Sequence, residues 1–199
     1  MKIQEDKLYK LVEEISIFNE IDIRDIPCID LYMDQVTTFF DDKLQHLKRD
    51  EKDSILTKTM INNYTKDKVI IPPKSKKYSK NHMILLILIY YLKQILSIND
   101  IKSLLAPLTK EIELDDTNDS ISLEKIYTSF IEIKKEELEN LSKNFDDRFS
   151  SIKEKISDKN NETSPKIELI MLVLALITQS YSQKRLAEKI IDTYFKQSK

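Results

Sequence analysis

Leu56 to Leu105 read LTKTMINNYTKDKVIIPPKSKKYSKNHMILLILIYYLKQILSINDIKSLL. Thr57 can cap a helix from Lys58 to about Lys66, in which Met60, Ile61 and Tyr64 share one side and Thr59, Asn62, Asn63 and Lys66 face outward. Val69-Ile70-Ile71 is short, β-branched and closed by Pro72-Pro73, so it cannot continue that helix. With Lys74-Ser75-Lys76-Lys77-Tyr78 it reads as a small wing or hairpin. Ser79 can cap a helix containing Met83 to Leu96, whose near-continuous apolar surface implies burial on most sides. Ser97 and Asp100 form an S-x-x-D box before Ile101 to Leu105, and Pro107 is expected to stop that helix.

Charge sets this stretch apart. Residues 1 to 53 carry 8 basic and 14 acidic side chains, residues 54 to 83 carry 7 and 1, and residues 84 to 199 carry 17 and 19. The net charge of −2 therefore hides a thirty-residue island of +6. A clustered positive patch, more than an overall isoelectric point, is the footprint of a polyanion contact.

Outside the island the chain reads as amphipathic helices. Lys2 to Asn19 places Leu8, Leu11, Val12, Ile15 and Phe18 at helical spacing. Asp30 is expected to cap a second helix, Leu31 to about Leu47, burying Leu31, Val36, Phe39, Phe40 and Leu44. Ile126, Phe130, Ile133, Leu141, Phe145, Phe149, Ile152 and Ile156 keep one stripe, so Ser122 to Ser157 is expected to be one helix about 54 Å long. Ser164-Pro165 opens a last helix to about Phe195; its segment Leu169 to Ile177 is apolar on every face and calls for burial against the long helix or a second subunit.

Composition excludes several classes of site. With no glycine in 199 residues, there is no phosphate loop, dinucleotide fingerprint or nucleophile elbow. One cysteine, Cys28, and two histidines, His46 and His82, make no zinc pattern, and His82 is read as a first-turn surface residue. The acid pairs Asp41-Asp42, Asp115-Asp116 and Asp146-Asp147 point about 100° apart in a helix and do not converge on one atom. No enzyme, cofactor or metal is expected. The charged start MKIQEDKLYKLVEE is unlike an export signal, and the longest apolar runs fall short of the roughly 20 residues that cross a bilayer, so a cytoplasmic location is expected.

The order of helix, connector, short helix, wing ending in tyrosine, helix and S-x-x-D helix resembles the winged helix-turn-helix domain of the MerR family of bacterial regulators. The family's recognition helix, V-S-x-x-T-I-R-Y-Y, is matched by Leu56-Thr57-Lys58-Thr59-Met60-Ile61-Asn62-Asn63-Tyr64 in its apolar first position, hydroxyl cap, isoleucine and final tyrosine. Ile70-Ile71-Pro72-Pro73 matches the turn that follows, and Lys76-Lys77-Tyr78-Ser79 the wing exit. Asn62 and Asn63 replace the family's arginine and first tyrosine, the wing is shorter and the connector before Thr57 longer, so no base preference is carried over. The stretch from Ile26-Pro27 and Leu31-Tyr32-Met33-Asp34-Gln35 through Leu105 is similar, more closely, to the bacterial family called domain of unknown function 1836.

The expected fold is therefore all-α: an N-terminal helix (1–25), a MerR-like winged helix-turn-helix domain with a small wing (26–108), and a helical C-terminal domain for dimerisation or sensing (120–199). The resemblance implies a sequence-specific transcriptional regulator that binds double-stranded DNA as a homodimer and answers to a small-molecule or protein effector. Its DNA-contacting set would be Thr57, Lys58, Thr59, Asn62, Asn63, Tyr64, Lys66, Lys74, Lys76, Lys77 and Tyr78. Asparagine can pair bidentately with adenine in the major groove, and the lysines can neutralise phosphates. The alternative is a protein-interaction module that reuses the fold without DNA.

Overall fold

Thr57 caps its helix as expected: its Oγ1 accepts the Met60 N–H at 3.1 Å, and α3 runs Lys58–Lys66. In the computed structural model, which describes residues 5–16, 20–50, 52–114, 122–157 and 164–196, this helix belongs to one of two compact units. The first comprises Ile21–Ser129 with Ala187–Lys199, and the second Met1–Glu20 with Phe130–Leu186. The described residues are mostly helical, with one two-stranded sheet.

In the first unit, β1 (Leu31–Tyr32) pairs antiparallel with β2 (Lys77–Tyr78), placing Leu31 opposite Tyr78 and Tyr32 opposite Lys77. Asp30 is therefore not a helix cap. α2 (Met33–Leu44) starts two residues later, with the Tyr32 N–H donating to Gln35 Oε1 at 2.9 Å, and a short 3-10 turn, Gln45–Leu47, follows it. Val36, Phe40 and Leu44 are buried along one side; Phe39 is only half-buried.

Val69–Ile71, expected as one arm of the wing, forms no strand and instead follows the cap that closes α3. Lys68 takes a left-handed φ of 56°, its N–H donates to Thr65 O at 3.1 Å, and the Val69 N–H donates to Tyr64 O at 2.8 Å. These two bonds satisfy carbonyls that the last helical turn leaves open, and Val69 itself is buried. A two-residue turn follows in which Ser75 (φ 51°) and Lys76 (φ 63°) are both left-handed and the Lys77 N–H donates to Lys74 O at 2.9 Å. This conformation matches strand twist, and it usually recruits glycine or asparagine.

α4 (Lys80–Leu92) is the centre of this unit, buried without interruption from His82 to Tyr90. His82 is thus a core residue and not a surface one. At the third helical position its Nδ1 accepts the Ser79 N–H at 3.1 Å, and its ring meets Tyr78 edge-on. The buried position lowers its pKa, an effect that the nearby Pro72 and Ile71 carbonyls offset only in part. α5 (Ile98–Leu114) is capped by Ser97, whose Oγ accepts the Asp100 N–H and donates to Asp100 Oδ2 at 2.7 Å. Pro107 does not stop α5. It lies on the exposed side, where water can take the carbonyl that a proline cannot bond. The first turns of α6 (Leu123–Lys143) complete the unit by burying Leu123 and Tyr127, whose Oη donates to Ile21 O at 2.5 Å. From the chain's other end, Lys196 pairs with Asp100 at 2.7 Å.

In the second unit the long stripe is two helices. α6 gives way at Asn144 (φ −95°, ψ 3°) to α7 (Phe145–Ile156), where the Asn140 carbonyl accepts both the Asn144 N–H at 3.1 Å and the Asn144 side-chain amide at 2.7 Å. Phe145, Phe149 and Ile152 pack against Leu172 of α8 (Pro165–Tyr194), with Leu8 and Val12 of α1 (Glu5–Ser16) alongside. Ile133, expected in the stripe, is exposed. Arg148 donates to Gln179 Oε1 and to Ala175 O, tying α7 to α8. Of the N-terminal helix expected over Lys2 to Asn19, residues 2–4 and 17–19, Phe18 among them, lie outside the described residues, as does the acid pair Asp115-Asp116.

Candidate nucleic-acid interface

α3 presents its polar side chains on one arc. At about 100° per residue, Lys58, Asn62, Lys66, Thr59 and Asn63 span roughly 140°, and Met60, Ile61 and Tyr64 occupy the rest. Burial follows that division: the first five are exposed, Ile61 and Tyr64 are buried, and Met60 is intermediate. Nothing acidic lies between Lys58 and Lys66. Thr57 is partly covered because its hydroxyl is used as the cap.

Two tyrosines of the expected contact set belong beneath this surface. Tyr64 and Tyr78 are 8% and 3% exposed, and burial raises the pKa of both hydroxyls above the ordinary value. Thr65 of α3 offers Tyr78 a side-chain hydrogen bond, which links β2 to α3. The rings position the surface and do not form it.

The lysines divide into two groups. Lys58 pairs with Asp34 in the first turn of α2, and Lys77 lies 5.3 Å over the ring of Tyr32 just before it, so the start of α3 and the exit of the turn converge on one place. Exposed pairs of this kind contribute little and exchange readily for another anion. Lys74 and Lys76, at the turn, are exposed. At the other end of α3, Lys66 joins Lys68 and Lys102 around a depression of about 570 Å³, with Asp67, Val69, Ile98 and Asn99 completing its lining. Lys102 comes from α5, outside the basic island, and only the packing brings it there. Lys68, also of the basic island, reaches the same rim from its left-handed backbone position.

Among the described residues no group of three or more His, Cys, Asp or Glu side chains could hold a metal ion, and no helix is long and apolar enough to cross a membrane. Cys28 is exposed.

Comparison with curated proteins and with solved structures finds no match. A protein-family pattern, however, covers residues 21–130, and those bounds nearly coincide with the Ile21–Ser129 segment of the first unit. The coincidence has a physical basis in Tyr127, which ties the start of α6 back to Ile21. Since the match spans more than half of the 199 residues, the chain belongs to the family described as Domain of unknown function (DUF1836).

Proposed function

We propose that the first unit binds double-stranded DNA as part of a transcriptional regulator, with α3 entering the major groove in the manner of a winged helix-turn-helix. The observation that carries this reading is the single exposed arc of α3, where Thr59, Asn62 and Asn63 sit between Lys58 and Lys66 with no carboxylate on the helix. Asn62 and Asn63 supply groups that can read a base edge, and Lys66, Lys74, Lys76 and Lys77 supply phosphate contacts on either side. Thr57 sets the helix start, while Tyr64 and Tyr78 hold it from below.

Selection of the full-length protein on random duplexes at low salt should enrich a motif. Binding to that motif should then weaken with salt at a log–log slope of about −4 to −5, for four to six neutralised phosphates. Asn62→Ala should relax preference at one position, and Lys76→Ala with Lys77→Ala should flatten the slope by about 1 to 2. Enrichment of no motif would overturn the reading. A protein-binding module is the second reading, favoured by the engagement of Lys58 with Asp34 and of Lys77 with Tyr32. It expects no steep salt dependence toward DNA.

A further inference from the structure

Helix α8 is apolar on two opposite sides. Leu172, Ala175, Leu176 and Gln179 lie within one arc, and this arc faces Phe145, Phe149 and Ile152 and is tied down by Arg148. Ile167, Ile170, Leu174, Ile177 and Tyr181 are centred on the opposite side, about half a turn away. They are 48%, 56%, 52%, 63% and 62% exposed.

Their spacing is three, four, three, four. That is the seam of a coiled coil, held over four turns, rather than the broader stripe by which a helix leans on a globular core. A specific occupant follows from the charge pattern. Lys166 and Glu168, of opposite sign, flank Ile167 at the first turn, and from Leu169 to Gln183 there is no charged residue, so over most of the seam two copies can meet without opposing like charges and without a call for a partner of one sign. The area is also sufficient. With Met171 and Val173 at its margins, the face offers on the order of 700 Å² per copy, against the ~800 Å² per partner of a standard interface.

We propose that this seam packs α8 of one copy against α8 of a second copy, making the protein a homodimer. The inference rests on α8 alone and stands whether or not the first unit binds DNA.

Sedimentation equilibrium of the full chain should give a dimer at about 100 µM, and Ile170→Glu with Ile177→Glu should weaken self-association by at least about 100-fold. A separate variant guards against misfolding of the double substitution. In a Cys28→Ser background, Leu174→Cys should form an intermolecular disulfide under mild oxidation, whereas Glu154→Cys on the exposed side of α7 should not. Three results would overturn the proposal: a monomer at that concentration, a dimer indifferent to the two glutamates, or equal cross-linking from both cysteines. In a monomer, reaction of the residue-174 thiol with a maleimide separates the alternatives. A slow thiol means cover from within the chain, a fast one a face left open for a different protein, and either outcome refutes the second copy as occupant.

Discussion

α4 and the Leu169–Ile177 stretch of α8 hold the chain's longest uncharged apolar runs, and their surroundings differ. α4 is covered on every side from His82 to Tyr90, whereas α8 is covered along Leu172 and open along Ile167, Ile170, Leu174 and Ile177. Hydrophobicity dictates that a surface be removed from water; it does not specify by which molecule. The two helices separate those questions, because one is satisfied within its own unit and the other has a spare face.

The comparison breaks first on truncation. Leu86→Ala, in fully buried α4, should destabilise the protein by about 3 kcal/mol, whereas Leu174→Ala should cost a dilute monomer less than about 0.5 kcal/mol; urea unfolding of both at low protein concentration measures the gap. Equal losses would mean that α8's open face is covered within the chain. Next in size is Tyr127→Phe. It leaves the buried Ile21 carbonyl without its donor and should cost about 1 to 2 kcal/mol in the same assay. A neutral result would separate the start of α6 from the unit that the family match encloses.

The smallest effect sharpens the picture of α4. Burial lowers the His82 pKa from its ordinary 6.5, so below about that pH the unfolded chain binds a proton that the folded chain refuses. The stability held by neutral His82 is therefore complete above pH 6.5 and is lost as pH falls from there toward the folded pKa. His82→Gln keeps an acceptor for the Ser79 N–H and has no proton to gain, so its melting temperature should fall less between pH 7.5 and pH 5.5 than that of the wild type. Parallel declines would remove His82 as the source of acid sensitivity.

Local chemistry was readable from the residues; long-range pairing was not. Thr57, Ser79, Ser97 with Asp100, and Pro165 mark helix starts where the structure has them, because a cap acts within four residues of itself. The outward set on α3 was equally visible, since periodicity alone separates Asn62 and Asn63 from Ile61 and Tyr64. The strand Leu31–Tyr32 was hidden because its partner, Lys77–Tyr78, lies some forty-five residues away. His82 was misread because burial there comes from the coverage of α4, not from the residue's polarity. Pro107 and Asn144 misled in opposite directions: an exposed proline is tolerated within α5, and α6 parts from α7 at Asn144, whose backbone (φ −95°, ψ 3°) leaves the helical region within an unbroken apolar stripe.

A chain without glycine must place a side chain at every left-handed backbone position, and Lys68, Ser75 and Lys76 are such positions. Each gives up roughly 1 kcal/mol that glycine would recover. Three separate substitutions are thus available for raising thermostability without touching the core, but two of them would discharge the surface. Heat tolerance and surface potential are therefore coupled in this protein, and directed evolution toward the first should leave its trace on the second.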